Sequence, residues 1–362
     1  MLDCRAQVAL SQHQRYVFST LKDQNDLPSS LVQFRYILLQ FFKKNLFVNS
    51  LLLLPYALFL HLGLWLRRVG FEWDERNYIF NHVFQVQKWS YELNVILSTL
   101  IIFVQALMIN GLVSRYKLNP YGQLLPGLFF ILMMGFGLPT LYMSPALVGN
   151  FFFIIAIDNV FQIYNKKSTA VQLFNFGFFI GLASALYVPY YIFLLLGLLG
   201  IFLLKGFQVK LLLQMLTGFI NVFFLIYVIL YVGDWDHLFW QTQIKGYFSN
   251  YVLHRLNWSW AWVGFGILIV FFISALVQFN YFQVKRIVLI QKYYNLLFWT
   301  CFIFLLSFLF MKVSSYSHLT LLIMPLSFIM GLLVTRIKNP LVAESIHVLF
   351  VVLALFLQFQ NW

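Results

Sequence analysis

The sequence is short of charged residues, and above all of acidic ones. Charged residues make up 10% of the 362 positions, and Asp and Glu together number 11 against 24 Lys and Arg. Because soluble domains carry about 25% charged residues, this chain could not cover a surface that faces water. Apolar residues, which suit contact with lipid, make up 62% of the sequence. The composition therefore predicts an integral membrane protein.

Cysteine is scarce, and the N-terminal segment lacks apolar runs. The two cysteines, Cys4 and Cys301, exclude a disulfide framework and a cysteine-rich metal site. The first 33 residues hold no apolar run of the kind that a cleavable signal peptide needs. We therefore interpret residues 1–33 as a polar tail that is either disordered or lies ahead of the natural start site, and we assign it no function.

Long apolar runs fill most of the remaining chain. Hydrocarbon offers no hydrogen-bond partners, so each run of about 20 apolar residues is expected to form a helix, and the alternation typical of a membrane barrel is absent. We predict an all-α polytopic bundle of about eleven transmembrane helices over residues 46–362, with long outer loops at 67–92 and 233–259. Segments 170–187 and 189–204 are short and form either two thin spans or one re-entrant hairpin. The predicted spans are 46–66, 93–113, 123–143, 146–164, 170–187, 189–204, 211–232, 260–279, 293–311, 319–335 and 341–360.

The basic residues predict the orientation of the bundle. Lys43 and Lys44 precede the first span, and every second connection from there on carries Lys or Arg. Since cytoplasmic loops are enriched in Lys and Arg, the N-terminus is predicted in the cytoplasm and Trp362 outside. The same rule explains the net charge of +13, so nucleic acid is not expected as a partner. The basic connections are Arg115/Lys117, Lys166/Lys167, Lys205/Lys210, Lys285/Arg286/Lys292 and Arg336/Lys338.

A short segment ahead of the first span is amphipathic. Within residues 34–45 the apolar side chains follow helical spacing, and Arg35, Lys43 and Lys44 flank them. We predict an interfacial helix here that anchors the chain before it enters the bilayer. Its apolar residues are Phe34, Ile37, Leu38, Phe41 and Phe42.

Acidic residues concentrate in the two outer loops. In the first loop Asp74 and Glu75 adjoin Arg76. One carboxylate would act as a general base toward a hydroxyl while the other orients it or binds a metal, and Arg76 would pair with a phosphate. The alternative is local: Asp74 caps the next helix, Glu75 complements its dipole and Arg76 contacts lipid headgroups.

The second outer loop combines carboxylates with aromatic rings. Asp234, Asp236 and His237 stand among tryptophans and tyrosines, a composition that suits carbohydrate binding. A membrane-interface belt of Trp and Tyr explains the same residues. His318 is predicted on the same outer face.

Two acidic residues and several amides fall within spans. Asp158 is interpreted as pairing with Lys166 or reaching the interface, and Glu344 as having the same relation to Lys338. The amides are expected to hydrogen-bond between helices. They are Asn94, Gln105, Asn110, Asn175, Gln214 and Asn221.

The run Asp74-Glu75-Arg76-Asn77-Tyr78 after the first span resembles the first outer loop of the GT-C superfamily of membrane glycosyltransferases. The segment from Tyr316 through His318 to Pro325 is similar to their late polar stretch before a proline-bearing span. The resemblance implies polyprenyl-phosphate sugars as donors and Asp74 or Glu75 as the catalytic acid position. The chain also resembles uncharacterised polytopic inner-membrane proteins of Bacteroidota. As a departure from the superfamily pattern, we expect no dedicated soluble C-terminal domain.

These observations favour a GT-C-like glycosyltransferase at the outer face of a bacterial inner membrane, acting in envelope glycan or glycoconjugate synthesis. Its catalytic residues would be Asp74 and Glu75, its partners are membrane lipids and the sugar donor, and a divalent metal stays open as cofactor. A transporter or flippase, or a non-catalytic subunit of an envelope assembly machine, are the alternatives. The predicted substrate-binding residues are Arg76, Tyr78, Asp234, Asp236, His237, Lys312 and His318.

Overall fold

The computed structural model is all-helical in the parts of the chain that it describes, namely 39, 41–42, 47–68, 80, 84–119, 124–164, 168–240, 260–278, 287–310, 316–337 and 339–360. The first helix, α1, is interrupted by single turn residues at Leu52 and His61. Short 3-10 turns cover Val86–Lys88, Val188–Phe193 and Tyr316–Leu319. The helices are α1 (Val48–Arg67), α2 (Tyr91–Arg115), α3 (Leu125–Met134), α4 (Leu138–Leu141), α5 (Pro145–Gln162), α6 (Ala170–Leu186), α7 (Leu194–Leu204), α8 (Val209–Val232), α9 (Asp236–Phe239), α10 (Trp260–Val277), α11 (Val288–Phe310), α12 (Thr320–Val334) and α13 (Pro340–Gln358).

Seven of the described helices are long and apolar enough to cross a bilayer: α1, α2, α5, α8, α11, α13, and α12 with its preceding turn. Four shorter apolar helices of 10–17 residues accompany them. This confirms the prediction of an all-α chain with several helices that could cross a membrane. The polar tail and most of the predicted interfacial helix at 34–45 lie outside the described residues.

Two helices fill the centre of the bundle. All ten residues of α3 are buried, and so is every residue of α12. The two pack so closely that a Cβ on Gly331 would lie 2.5 Å from the backbone of Pro126. Because every residue of both helices is buried, the other helices enclose this pair.

The predicted span 123–143 is wrong in one respect, because the segment does not form one continuous helix. Helix α3 ends at Met134, and the chain resumes as α4 at Leu138. Gly135, Gly137 and Pro139 interrupt the helix. The Thr140 hydroxyl donates to the carbonyls of Met134 and Gly137 at 2.6 and 2.7 Å, so the side chain satisfies backbone groups that the break exposes.

Helix α8 lies at the edge of the bundle and packs against α6. Small residues let the two backbones approach, as in many membrane helix pairs. A Cβ on Gly177 of α6 would lie 1.9 Å from the Met215 carbonyl, and one on Gly218 of α8 would lie 2.1 Å from the Phe174 carbonyl. The rest of α8 faces outward, since only Leu211, Met215, Gly218 and Val222 are buried.

Helices α6 and α7 form a hairpin that reaches across the bundle. At its tip the Tyr190 hydroxyl donates to the Ala146 carbonyl at the start of α5. At its base Gly200 of α7 packs against Val160 near the end of α5. These contacts extend from the start of α5 to a point near its end.

Polar contacts join helix termini at two opposite ends of the bundle. At one, here named the His318 end, Arg67 at the end of α1 reaches the C-terminus of α13, and Tyr187 after α6 reaches His318 before α12. At the other, the Asp158 end, Arg115 pairs with Asp158 and joins the C-termini of α2 and α5.

Candidate functional site

The predicted site residues divide between described and undescribed segments. Asp74, Glu75, Arg76, Tyr78 and Lys312 lie outside the described residues. The segment that carries the first four is bounded by Arg68 and Phe80. Arg68 pairs with Glu92 at 3.3 Å, and Phe80 is buried with Val86 and Met143. Both boundaries therefore lie at the His318 end.

His318 lies inside the bundle rather than on its surface. Its side chain is 1% exposed. The Tyr187 hydroxyl lies 3.1 Å from Nδ1, and the Ser307 hydroxyl lies 2.7 Å from Nε2. Phe304 stacks on the imidazole at 5.3 Å between centroids. Both ring nitrogens are occupied, so the network holds α6, α11 and α12 together, and a substrate-binding role for His318 stays a prediction.

Asp234 lies in the turn between α8 and α9, and Asp236 is the first residue of α9. Asp234 adopts a left-handed conformation with φ of +56°, which Asp tolerates better than most residues. The Trp235 amide then donates to the Leu230 carbonyl at 2.8 Å, which ends α8. Asp234 and His237 are exposed and Asp236 is half-buried.

Aromatic rings surround this turn. Tyr227 on α8 contacts Phe239 and Trp240 with centroid separations of 5.6 and 6.5 Å. Trp235 and Trp240 are each about half exposed. The turn therefore presents rings and carboxylates side by side, an arrangement that fits a sugar surface or the interfacial belt predicted as its alternative.

Basic residues beside the first outer loop are already engaged. The Arg67 guanidinium donates to the carbonyls of Gln358 and Gln360 at 3.0 and 2.6 Å, where it complements the dipole at the C-terminus of α13. Arg68 and Glu92 form an ion pair between largely exposed side chains. Arg68 is therefore more accessible to an anion than Arg67.

Two tyrosines line the same end. The Tyr91 hydroxyl donates to the Leu64 carbonyl, and Tyr142 lies 3.5 Å from the Tyr91 hydroxyl. Tyr142 therefore serves as a hydrogen-bonding group at this end.

A charged cluster forms around Asp158, and its described partners differ from the one predicted from sequence. Asp158 accepts hydrogen bonds from Arg115 at 2.6 Å, Tyr116 at 2.6 Å and Gln162 at 3.0 Å. The predicted partner Lys166 lies outside the described residues, and Arg115 stands in the expected role. Burial, then the bond to Asp158, raises the pKa of Tyr116, which lies just beyond α2. The hydroxyl therefore stays protonated and keeps donating.

Glu344 contacts the Leu39 amide and His347, while its predicted partner Lys338 lies outside the described residues. Its carboxylate accepts from the Leu39 amide at 3.3 Å and lies 3.7 Å from His347. His347 in turn lies 2.7 Å from the Tyr56 hydroxyl. The contacts connect α13 to α1 and to the segment before it, so this carboxylate also has a packing role.

Three of the predicted interhelical amide bonds are confirmed. The Asn94 side chain accepts from the Met143 amide, and Asn110 accepts from the Gly127 amide. Gln105 accepts from Asn150 and donates to the Leu147 carbonyl. Sequence alone did not supply these partners, because each lies 17 to 49 positions away.

Among the described residues, no three His, Cys, Asp or Glu side chains lie close enough to hold a metal ion. Comparison with protein-family models, curated proteins and solved structures gives no match. The functional proposal therefore rests on the residues and geometry of this chain.

Proposed function

We propose that the chain is a multi-pass protein of a bacterial inner membrane with eleven spans, and that its N-terminus and its Asp158 end face the cytoplasm. Six described basic residues lie at the Asp158 end, against three at the His318 end. This asymmetry supports the orientation, because Lys and Arg are retained on the cytoplasmic side. The six are Arg115, Lys117, Lys205, Lys210, Lys292 and Arg336, and the three are Arg67, Arg68 and Lys88.

Within that orientation, the proposed activity is GT-C-like transfer of a sugar from a polyprenyl-phosphate carrier at the outer face. The supporting observation is the accessibility of the carboxylates. At the Asp158 end Asp158 and Glu344 are tied into helix contacts. At the His318 end Glu92, Asp234 and Asp236 are exposed or half-buried. Acid–base groups that a substrate can reach therefore collect at the outer end.

The first outer loop would supply the chemistry. Asp74 or Glu75 would take the proton of an acceptor hydroxyl, whose oxygen attacks the anomeric carbon of the donor. The bond from that carbon to the phosphate oxygen breaks, and its electron pair leaves with the lipid phosphate. Arg76 and Lys312 would stabilise the phosphate charge, while the aromatic turn around Asp236 would hold the acceptor sugar.

A non-catalytic membrane subunit is the second candidate, and the enclosure of His318 favours it. A residue expected at the substrate is instead buried with both ring nitrogens bonded. The transporter alternative gains less support, because α3 and α12 fill the centre with apolar side chains. Transporters place their substrate sites near the middle of the membrane, at broken helices.

Substitution of the paired carboxylates tests the enzyme proposal. Cells that lack the chromosomal copy would carry the wild-type chain, Asp74→Asn, Glu75→Gln or the control Glu92→Gln, at matched amounts in the membrane. Glu92 is a half-exposed carboxylate in the first turn of α2, at the end of that loop, so its variant controls for loss of charge there. We expect Asp74→Asn or Glu75→Gln to lower the yield of one envelope glycoconjugate by about 10²-fold or more, and Glu92→Gln to leave it unchanged. Wild-type glycoconjugate profiles in both loop variants would reject the enzyme and leave the non-catalytic subunit.

A further inference from the structure

A groove at the periphery of the bundle lies between α10 and α11. It has a volume of about 340 Å³ and is lined by Leu276, Asn295, Phe298, Trp299 and Phe302. Phe272 of α10 meets Phe302 edge-on with centroids 5.4 Å apart, which joins the two helices beside the groove. The volume falls in the range of roughly 300–1,000 Å³ typical of small-molecule sites.

The groove faces the region that lipid occupies. Trp299 is 46% and Phe302 is 42% exposed, at positions within a helix long and apolar enough to span the bilayer. Aromatic rings with this exposure in the middle of a span contact hydrocarbon rather than water. An apolar chain from the surrounding bilayer is therefore the natural occupant.

An amide that lines the groove and a cation lie toward the Asp158 end of the same helix. Lys292, Asn295 and Trp299 are spaced three and four residues apart, so they lie along one side of α11. The Lys292 ammonium lies 5.5 Å from the centre of the Tyr164 ring, which holds it at the Asp158 end. None of the described carboxylates forms an ion pair with Lys292, so its charge remains open to an anion.

The dimensions match one leaflet. Ten residues separate Lys292 from Phe302, and at 1.5 Å per residue they span about 15 Å. Half of a hydrocarbon core of about 30 Å is the same length. A molecule with an anionic head at Lys292 and an acyl chain along Trp299 and Phe302 would fit this stripe from interface to mid-membrane.

We propose that this groove binds one anionic phospholipid of the leaflet at the Asp158 end, with its phosphate at Lys292, its ester region at Asn295 and one acyl chain in the groove. The inference does not depend on the proposed glycosyltransferase activity. It assigns Lys292 a role beyond the general positive charge of that end, because among the described residues Lys292 is a cation in line with the groove.

Quenching of Trp299 by brominated lipids tests the site in the full-length chain. The protein would be placed in phosphatidylcholine nanodiscs that contain equal mole fractions of either dibrominated phosphatidylglycerol or dibrominated phosphatidylcholine. The Trp299 signal is the tryptophan fluorescence of each protein minus the fluorescence of the same protein with Trp299→Phe. We expect about fivefold preferential quenching by the anionic lipid, the order of effect that one lysine exerts near an anionic surface.

Matched variants separate a specific site from a general charge effect. Lys292→Gln should abolish the preference, whereas Lys292→Arg and the control Lys210→Gln should retain it. Lys210 is an exposed cation of the same end on α8. Equal quenching of wild-type Trp299 by both lipids, or a preference that survives Lys292→Gln, would overturn the proposal. If Lys292→Gln and Lys210→Gln lowered the preference for the anionic lipid equally, the proposal would also be overturned, because general surface charge would then explain the preference.

Discussion

The Arg115 guanidinium and the Asp158 carboxylate meet at 2.6 Å and join the ends of α2 and α5. The two partners differ in exposure, with side chains 61% and 18% exposed. Tyr116 donates to the same carboxylate from the more enclosed side. The arrangement therefore contains one contact open to solvent and one sheltered from it, and the two should differ in their contribution to stability.

Removal of the sheltered contact should cost more than removal of the exposed one. We expect Tyr116→Phe to lower the free energy of unfolding by about 1.5–3 kcal/mol, because it removes a hydrogen bond to a charged group. Arg115→Gln should cost only about 0–1 kcal/mol, since water and salt screen an exposed ion pair. Reversible unfolding in mixed micelles, followed by tryptophan fluorescence, measures both.

Tyr164→Phe is the control for that pair. It removes a tyrosine hydroxyl at the same end from a side chain that is 40% exposed, and it should change stability by less than about 0.5 kcal/mol. An Arg115→Gln loss equal to or larger than that of Tyr116→Phe would contradict the ordering.

The contact of α6 with α8 depends on glycine at two positions. Because a Cβ on Gly177 would lie 1.9 Å from the Met215 carbonyl, Gly177→Ala must separate the helices, and we expect a loss of about 1–3 kcal/mol. Gly111 on α2 has no atom within 4 Å of the same added carbon. Gly111→Ala should therefore be neutral or stabilising by up to about 1 kcal/mol. The thermal unfolding midpoints of Gly177→Ala and Gly111→Ala in nanodiscs measure both effects. Equal midpoints for the two variants would show that α6 and α8 are not in backbone contact.

Hydropathy predicted the lengths of the described helices well, because membrane thickness sets them. The predicted span 211–232 compares with Val209–Val232, and 341–360 compares with Pro340–Gln358. The break after Met134 was missed, since Gly135 and Gly137 stay apolar on a hydropathy scale while they weaken the helix.

Long-range partners could not be predicted in the same way. Asp158 was interpreted through the nearby Lys166, but its partner Arg115 is 43 positions away. His318 was recognised as a notable outer residue, yet nothing in its local sequence indicates Ser307 or Tyr187 as neighbours. Periodicity within one helix does not specify which face meets which other helix, so packing partners emerge only from the folded bundle.

The His318 network should behave as one structural unit. Ser307→Ala and Tyr187→Phe each remove one partner of the buried imidazole, and we expect each to cost about 1–3 kcal/mol by leaving a polar atom unsatisfied. The double variant should cost less than the sum, with a coupling of about 0.5–3 kcal/mol. A double-mutant cycle in mixed micelles gives this value. If the two substitutions had strictly additive effects on the free energy of unfolding, the network would not act as one unit. If the variants also lost glycoconjugate synthesis at unchanged stability, the result would instead point to His318 as a substrate-binding residue.

The orientation of the bundle can be tested at two exposed positions of opposite ends. Lys88 lies in the turn before α2 at the His318 end, and Gln208 lies just before α8 at the Asp158 end. In a chain with Cys4→Ser and Cys301→Ala, we expect Lys88→Cys to react with an impermeant maleimide in intact cells, and Gln208→Cys to react only after the membrane is opened. The reason is the excess of Lys and Arg among the described residues of the Asp158 end, since Lys and Arg are enriched on the cytoplasmic side of membrane proteins. The reverse labelling pattern would place the Asp158 cluster outside and the carboxylates of the outer loops in the cytoplasm, where the proposed transfer from an outer-leaflet carrier lipid could not occur.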